Sequence, residues 1–325
     1  MSPVILVQAD ELDYSAFVDL QIKAYAHLLS SAGTSSEYMT EEFYRWKYNP
    51  PAGQAWIAIV KSNKGYIAAN AMIPQKIRWC EKTILGWQSC DTATIPDARG
   101  KGYFQRCLDA LNEIIGPSDI FFGFPNKNSI RGFIKLGWKE ISSVTTYVNP
   151  FVRFQPYYFS EVFEIERFDI KFDILFEKLT RLGWITLEHG VDYLNWRYLD
   201  HPIYDYSCFI CQKNKEYSGF AVLREAEVFN QSVGLVMDLW CLDSSSARKL
   251  LQYAAWWARQ RKLRLAVHMD SLVDFSTNFV SGFIPIWSKI LPKRQILMGQ
   301  GTYISECREF SNNQWRVQLG DWDAF

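Results

Sequence analysis

An imperfect internal repeat is the feature of the sequence that most constrains its fold. Residues 43–50 read Phe-Tyr-Arg-Trp-Lys-Tyr-Asn-Pro, and residues 193–202 read Tyr-Leu-Asn-Trp-Arg-Tyr-Leu-Asp-His-Pro. Each segment precedes two strand-like runs separated by a short turn. The two tryptophans are 150 residues apart, and later landmarks recur at spacings of 147 and 145 residues, Asp91 with Asp238 and Gly137 with Gly282. Four landmarks in the same order indicate duplication of one fold.

The length and the hydrophobic pattern indicate the fold class. A chain of 325 residues suits two domains of about 150 residues each, and we predict them at residues 1–150 and 151–325. In the first half, helices are predicted at 14–31, 41–48, 102–115 and 129–136, and strands at 55–61, 65–74, 76–80, 84–95, 119–124 and 138–148. Helices that alternate with hairpin-joined strands predict an α/β (α+β) fold with mixed sheets. Residues 149–165 are expected to connect the halves.

The composition indicates which classes of partner and which cellular compartment to expect. Lysine plus arginine and aspartate plus glutamate both total 35, whereas a protein that coats nucleic acid usually has a basic excess. The densest basic run, residues 259–264, is typical of a helix C-terminus. The sequence shows no 18-residue apolar run and no N-terminal signal pattern. Seven scattered cysteines favour a reducing compartment. We expect a cytoplasmic protein without nucleic-acid or membrane partners and leave a homodimer open.

One cysteine pair, Cys208 and Cys211, has the spacing of a redox or metal motif. It lies in a run, residues 206–212, that is typical of a strand, and residues three apart on a strand point to opposite faces. The sequence has no second pair of this kind and no histidine at ligand spacing from it. We therefore predict two buried thiols and no metal site.

The segment with the clearest chemistry is a loop at residues 95–104, Ile-Pro-Asp-Ala-Arg-Gly-Lys-Gly-Tyr-Phe, between a predicted strand and a predicted helix. Gly100 and Gly102 let the backbone approach an anion without a Cβ atom in the way, and a helix N-terminus attracts negative charge. Arg99 and Lys101 add positive charge. The loop is a candidate phosphate or pyrophosphate site, although a tight turn explains the same pattern. The spacings of a P-loop and of a dinucleotide fingerprint are not met.

This loop resembles the acyl-CoA loop of the GNAT superfamily of N-acetyltransferases. The family signature, Arg/Gln-x-x-Gly-x-Gly/Ala, is matched by Arg99, Gly102 and Phe104, with a phenylalanine in place of a small residue, as in one GNAT subgroup. Residues 126–138, Asn-Lys-Asn-Ser-Ile-Arg-Gly-Phe-Ile-Lys-Leu-Gly-Trp, resemble the family segment Asn-x-x-Ala-x-x-x-Tyr-x-Lys-Leu-Gly-Phe. The resemblance covers about residues 85–140. Together with the repeat, it implies two tandem GNAT-like domains, the second degenerate.

The resemblance also implies how a cofactor would bind. Parallel strands that end near Ile95 and Phe124 would separate and leave a slot for acetyl-CoA or another acyl-CoA. The backbone of Ala93, Thr94 and Ile95 would pair with the pantetheine. The amides that would bind the pyrophosphate belong to Arg99, Gly100, Lys101, Gly102, Tyr103 and Phe104. The remaining predicted cofactor contacts are Asn126, Ser129 and Phe133. The acceptor, a small-molecule amine, would attack the thioester from the opposite side.

Two catalytic roles are left open. The departing thiolate needs a proton, and the tyrosine that often donates it in the family is replaced here by Phe133. Tyr103, Tyr147 or solvent then has to donate the proton. Asp91, on the strand beside the slot, is a candidate base. It is equally well interpreted as a structural carboxylate, because a carboxylate on a central strand is costly unless it is paired.

The second half lacks the cofactor loop. Its equivalent segment, residues 242–251, contains no glycine, and its serines suit a helix N-cap before a helix predicted at 247–261. We expect no CoA there and a role in shaping the acceptor pocket. Three aromatic residues of the repeat either line that pocket or belong to the core, and the core is favoured: Tyr193, Trp196 and Tyr198.

Three functions are consistent with these observations. The first is transfer of an acetyl or short acyl group from CoA to an amine of a small molecule or sugar. The second is a GNAT-like module that senses acyl-CoA without turnover, which Phe133 favours. The third is a Fem-like aminoacyl transferase, also a tandem of this fold. Those proteins do not use this CoA loop, so residues 99–102 and the neutral charge count against the third function. We expect an acyltransferase.

Overall fold

The structure is a computed structural model of the chain. It describes residues 2–32, 36–79, 81–115, 120–126, 128–152, 161–180, 182–228, 231–272, 275–286, 296–306 and 315–322. Two mixed sheets, one of eight strands and one of seven, dominate these ranges. The helices of the described ranges are all too short or too polar to cross a membrane.

Eight strands form the N-terminal sheet: β1 (Val4–Gln8), β2 (Trp56–Ser62), β3 (Gly65–Trp79), β4 (Lys82–Thr94), β5 (Ile120–Gly123), β6 (Lys139–Ser143), β9 (Ile185–Leu187) and β15 (Ile296–Gln300). Their order is β1-β2-β3-β4-β5-β15-β6, with β9 paired to β3, and only β4 and β5 are parallel among the described pairs. Helices α1 (Tyr14–Ala32) and α2 (Glu41–Lys47) pack on one face, and α3 (Tyr103–Ile115) and α4 (Ile130–Lys135) pack on the other.

Seven strands form the C-terminal sheet: β7 (Thr145–Asn149), β8 (Val162–Ile165), β10 (Ser207–Lys213), β11 (Glu216–Val228), β12 (Gln231–Cys241), β13 (Ala266–Asp270) and β14 (Ile284–Ile286). Their order is β14-β7-β13-β12-β11-β10-β8. The remaining helices are α5 (Ile170–Thr180), α6 (Val191–Leu194), α7 (Ser244–Gln260), α8 (Phe275–Val280) and α9 (Thr302–Glu306). A π-helical turn, Asn195–Leu199, continues α6.

The two sheets exchange strands across residue 150. Strand β7 belongs to the first half of the chain but pairs with β13 and β14 of the C-terminal sheet. Strand β15 belongs to the second half but lies between β5 and β6 of the N-terminal sheet. The predicted division into residues 1–150 and 151–325 therefore does not coincide with the division between the sheets. Each sheet is completed by a strand from the other half of the chain.

The two tryptophans of the repeat contact each other. The ring centroids of Trp46 and Trp196 are 4.9 Å apart and the rings are stacked. The Nε1 of Trp46 donates to the carbonyl of Trp196 at 2.9 Å, and the Nε1 of Trp196 donates to the carbonyl of Trp46 at 3.2 Å. This reciprocal contact places equivalent segments of the two halves around a local pseudo-twofold axis.

The structure confirms the predicted mixed α/β class and most element positions, with two differences in the first half. The strands predicted at 65–74 and 76–80 form one continuous strand as far as Trp79, β3, because Gln75 keeps its pairing with Gly86. Residues 138–148 form two strands in different sheets, β6 and β7. The predicted connection at 149–165 lies largely outside the described residues. Cys208 and Cys211 are buried free thiols in different hydrophobic clusters, as expected for opposite faces of β10.

Candidate functional site

The candidate site is a slot where β4 and β5 separate. The parallel pairing of these strands runs from Gly86 with Ile120 to Ser89 with Gly123. Strand β4 then continues to Thr94, still paired on its other edge with β3. In the described ranges no strand pairs with the free edge of β4 beyond Ser89. This edge is therefore open to strand-like pairing with an extended ligand, although the carbonyls of Thr92 and Thr94 already accept from Tyr25 and Arg99.

The backbone of residues 93–95 borders this slot. The N–H of Ile95 donates to the Ile67 carbonyl of β3 at 3.0 Å. Because successive peptide groups of a strand point to opposite edges, the N–H and C=O of Thr94 face the slot. Ala93 is buried against α1 and α2. The structure thus gives Thr94 the backbone orientation that the pantetheine prediction requires, whereas Ala93 and Ile95 pair with β3.

The loop at the end of the slot has an open backbone. Pro96–Ala98 forms a single 3-10 turn and α3 begins at Tyr103. Gly100 and Gly102 have φ of +75° and +74°, and an ideal Cβ on either residue would meet no atom within 4 Å. Side chains there would fill the space in front of the first N–H groups of α3, which have no partner within the helix. This open space fits a pyrophosphate held by main-chain amides.

The two cations of the loop brace it instead of projecting freely. Arg99 donates from Nε to the Thr94 carbonyl at 3.3 Å and from Nη2 to the Ala24 carbonyl of α1 at 3.0 Å. The Nζ of Lys101 donates to the Asp97 carbonyl at 2.9 Å. Both residues are exposed. Their charge lies near the cradle, but their hydrogen bonds fix its shape.

Phe104, which replaces the small residue of the family signature, packs against a glycine. Its ring lies against Gly132 of α4, where an added Cβ would come within 2.6 Å of the ring carbon Cε1. Phe133 is buried between Phe104 and Trp138, with centroid distances of 5.2 Å and 4.6 Å. A small residue on α4 therefore makes room for a large one on α3. Phe133 contributes to this aromatic packing, and its predicted cofactor contact stays a prediction.

The side chains of Asn126 and Ser129 form the turn that opens α4. Asn126 Oδ1 accepts from the N–H groups of Asn128 at 2.8 Å and Ser129 at 3.2 Å. Ser129 Oγ accepts from the N–H of Asn126 at 3.1 Å. The asparagine of the family-like segment thus has a local structural role. Its predicted contact with the pantetheine stays a prediction.

The two tyrosines named as proton donors are not brought together at the slot. Tyr103 is 7% exposed and packs in the hydrophobic cluster under α3. Tyr147 is fully buried on β7 of the C-terminal sheet, with its ring 6.1 Å from that of His268. Tyr147 therefore lies in the other sheet, whereas Tyr103 begins α3 directly after the loop. The role of Tyr103 as proton donor stays a prediction.

Asp91 lies on a β-bulge with φ of +48°. Its carboxylate accepts from Lys47 Nζ at 2.9 Å and from the Tyr48 hydroxyl at 2.9 Å. Its carbonyl accepts from Gln21 Nε2 at 3.0 Å. Burial, followed by the charge of Asp91, raises the pKa of Tyr48 well above its usual range. The contacts favour the structural interpretation of Asp91, and its role as base stays a prediction.

The second half repeats this arrangement with the equivalent residues. The Tyr198 hydroxyl donates to the carboxylate of Asp238, which also accepts from Trp240 Nε1 at 3.4 Å. The neighbouring Arg197 is buried, and its guanidinium donates to the carbonyls of Gly320 and Trp322. The Trp-basic-Tyr motif therefore holds the aspartate of its own half in place. The repeat showed both parts of this unit, but not that they touch.

A polar cluster beside the slot was missed by sequence reasoning. Asn70 of β3 is fully buried, and its Nδ2 donates to Ser89 Oγ at 3.1 Å and to Thr92 Oγ1. Ser89 and Thr92 flank the point where β4 leaves β5. The available signal was an asparagine in the apolar run Ala-Ala-Asn-Ala, residues 68–71. Such a residue must find buried partners.

Residues 315–322 pass between the two halves. Gln88 Nε2 of β4 donates to the Asp321 carbonyl at 3.0 Å, and the ring of Trp322 lies 5.2 Å from that of Phe124. A small inner cavity of about 30 Å³ lies beneath this segment. Among its lining residues are Tyr193 and Trp196, whereas Tyr198 is in the core. Two of the three aromatic residues thus line a cavity in addition to contacting the core.

The same segment fills the second half's equivalent of the slot. Strands β12 and β13 pair in parallel only from Gly234 to Val236 of β12. Beyond that point, the side-chain amide of Gln318 accepts from the Leu239 N–H at 2.6 Å and donates to the Leu239 carbonyl at 2.8 Å. The loop before α7 is closed by Asp243, which accepts from the N–H of Ser246 at 2.9 Å. The Gln318 side chain thus pairs with a strand edge that the separation of β12 and β13 leaves open.

A buried charge cluster holds residues 315–322, which we call the plug, in place. His189 Nε2 lies 3.5 Å from Asp238 Oδ2 and 3.4 Å from Asp321 Oδ1, and all three side chains are buried. Burial alone would lower the pKa of His189, but the two carboxylates outweigh it and raise that pKa to about 10. The imidazolium in turn outweighs burial at Asp238 and lowers the pKa of that carboxyl. Burial dominates at Asp321 and raises its pKa.

The described residues contain no group of three or more His, Cys, Asp or Glu side chains placed to hold a metal ion.

No protein-family model and no curated protein sequence matches the chain. Solved structures do match. A probable N-acyltransferase from Enterococcus faecalis, described as a conserved protein of unknown function, superposes with a TM-score of 0.65 at 11% identity, over 92% of this chain and 72% of its own.

Two other solved structures also match this chain. A GCN5-related N-acetyltransferase from Anabaena variabilis gives a TM-score of 0.63 at 12% identity, covering 91% of this chain and 72% of its own. A Saccharomyces cerevisiae N-myristoyltransferase solved with myristoyl-CoA gives 0.61 at 10% identity, covering 93% and 79%. The chain therefore has an acyltransferase-type α/β fold. More narrowly, it has the fold of the GNAT superfamily.

Proposed function

We propose that this chain is an acyl-CoA-dependent N-acyltransferase that transfers an acetyl or other short acyl group to an amine. The observation that carries the proposal is the open cradle of Gly100 and Gly102 beside the free edge of β4. The cradle suits a pyrophosphate, and the free edge suits the amides of a pantetheine. The fold is shared with a protein solved with bound myristoyl-CoA, which supports the same cofactor class.

Acyl-CoA would supply the thioester, and residues of the chain would bind and orient it. The peptide group of Thr94 is oriented to bind an extended chain along the slot. Ser89 and Thr92 place hydroxyls at its inner end, fixed by Asn70. Buried donors that are already oriented cost little reorganisation when charge develops on a carbonyl oxygen. In direct attack by a neutral amine, the C–N bond forms, the C–S bond breaks, and the proton lost by the amine passes through solvent to the departing thiolate. This step requires no proton donor from the chain.

The test is calorimetric titration of the full chain with CoA and acetyl-CoA. Gly102→Asp places a carboxylate where the pyrophosphate is expected, so affinity should fall by about a hundredfold or more, the effect of about 3 kcal/mol. Gly183→Asp is the matched control, because Gly183 also has positive φ, +83°, and open space around its Cβ. Normal binding by Gly102→Asp, or an equal loss in Gly183→Asp, would remove the support for the site.

A second candidate function, acyl-CoA sensing without turnover, is favoured by one observation. Asp91 already accepts from Lys47 and Tyr48, so the candidate base is occupied. Release of free CoA thiol in the presence of an amine panel separates the two functions. Acceptor-dependent thiol release supports the transferase, whereas tight binding of acetyl-CoA without release supports the sensor.

A further inference from the structure

A second cavity adjoins the inner cavity. It is a groove of about 390 Å³ between β3, the loop after α2, and helices α5 and α6. We call it the acidic groove, because its charged lining residues are Asp173, Glu188, Asp192 and one cation, Lys76. Gln75 and Tyr193 line both the acidic groove and the inner cavity. The two cavities therefore meet at these residues.

The carboxylates of the acidic groove are held in place but not neutralised by the described residues of the groove. Asp173 Oδ1 accepts from the N–H of Val191 at 2.8 Å. Lys76 Nζ lies 4.0 Å from Glu188 Oε2, and Asp192 is exposed in the first turn of α6. The lining of the groove thus carries a net charge of −2 at neutral pH. A partly enclosed site of this charge concentrates cations.

Gln75 gives an independent sign of a ligand. It is 5% exposed, and its side-chain amide has no hydrogen bond to any residue that the structure describes. Because Gln75 lines both cavities, its amide can hydrogen-bond to a polar group placed there. A ligand that makes this bond would extend from the acidic groove toward the inner cavity.

The inner cavity has the opposite charge pattern. Lys47 and Arg197 line it, together with Asp321. Nearby cations disfavour an ammonium and so lower the pKa of an amine placed there. The outer carboxylates would hold a positive charge, whereas the inner cations would keep the reacting amine neutral, as nucleophilic attack requires.

We propose that the acceptor is an amine with a second positive charge, which the acidic groove holds while the reacting amine lies in the inner cavity. This inference rests on the proposed function for the reaction itself, but binding to the groove can be measured without turnover. The recognising groups are Glu188 and Asp192 for the distal charge and Gln75 for a polar group of the linker.

The experiment is an NMR titration of the full chain with three acceptors of equal chain length: cadaverine, pentylamine and aminovalerate. Cadaverine should bind about tenfold more tightly than pentylamine, the effect of one partly screened ion pair, and aminovalerate should bind most weakly. In Glu188→Gln/Asp192→Asn, the preference for cadaverine should disappear. Asp205→Asn is the matched control, since Asp205 is an exposed carboxylate outside the groove lining.

Other outcomes overturn the inference. Equal binding of the three acceptors, or a preference for cadaverine that persists in the double variant, would show that the groove does not select charge. Loss of the preference in Asp205→Asn would assign it to overall charge instead. Acetyl-CoA titrated in parallel keeps the two proposals distinct, because a chain that selects cadaverine but does not bind acetyl-CoA retains the groove and loses the proposed transferase.

Discussion

The two halves of this chain form the same kind of strand separation and use it differently. Between β4 and β5 no described strand pairs with the edge of β4 at Thr94, where Arg99 contacts the carbonyl, and two glycines with positive φ leave the adjoining loop open. Between β12 and β13 the backbone of Leu239 is paired with the amide of Gln318. The same kind of sheet separation can therefore stay open or bind a segment of the chain itself, depending on the loop beside it.

The equivalent carboxylates of the two halves, Asp91 and Asp238, also differ in their surroundings. The Asp91 side chain is 12% exposed and pairs with the ammonium of Lys47. Asp238 is completely buried and lies within the cluster of His189 and Asp321. The first carboxylate is partly exposed, whereas the second is enclosed in the structure that holds residues 315–322 in place.

The largest expected effect is on Asp238. Asp238→Asn removes the charge opposite His189, so it should lower the free energy of unfolding by about 3–5 kcal/mol, as breaking a buried pair does. Asp91→Asn should cost about 1–2 kcal/mol, because its pair is partly solvated. Chemical denaturation of both variants measures the difference. Equal costs would remove the distinction between the halves, and loss of turnover in a stable Asp91→Asn variant would establish the base instead.

The next effect is a pH dependence. The pKa of His189 is raised from 6.5 to about 10, so its stabilisation is fully present below pH 6.5 and is lost as the pH rises toward 10. Between pH 6.5 and 9, stability should fall by about 3 kcal/mol at about 1.4 kcal/mol per pH unit. His189→Gln should flatten this slope when unfolding is followed by denaturant titration at each pH. An equally steep slope in the variant would assign the effect elsewhere.

The sequence predicts those elements of the candidate cofactor slot that are formed by residues close together in the chain. The glycine loop, the strand before it and helix α3 are within one short segment, so local turn and helix signals are sufficient. The departure at Phe104 also had its counterpart in the sequence, Gly132, whose meaning depends on a tertiary contact. Local patterns identify elements, but they do not show which ring fills which space.

The plug and the exchanged strands could not be predicted in this way. Gln318 pairs with a backbone 79 residues earlier, and β15 enters the N-terminal sheet far from its neighbours in the chain. Such contacts depend on which sheet edges are left free after folding, which no local periodicity encodes. The prediction of no CoA in the second half rested on the missing glycines. The structure adds a physical reason, because the slot there is filled by the chain.

A smaller effect is expected at the plug. Gln318→Ala leaves the buried N–H of Leu239 unpaired, while the Leu239 carbonyl keeps its bond from Arg316 at 2.8 Å. One unpaired buried donor should cost about 1–3 kcal/mol, measured by chemical denaturation. Calorimetry should still show one acetyl-CoA per chain, because the loop before α7 lacks glycine. Two molecules of acetyl-CoA per chain would show that the plug alone separates the two slots.

The smallest effect concerns the pseudo-twofold contact. Trp46→Phe and Trp196→Phe each remove one indole hydrogen bond of the reciprocal pair, so each should cost about 1 kcal/mol. Because phenylalanine keeps a ring in each position and the two hydrogen bonds are separate, the double variant should cost about the sum of the single variants. Similar single costs would show that the halves contribute equally at their axis even though their slots have diverged. A cost confined to Trp46→Phe would place the whole contribution in the half that carries the cofactor loop, and the symmetry of the contact would then be geometric only.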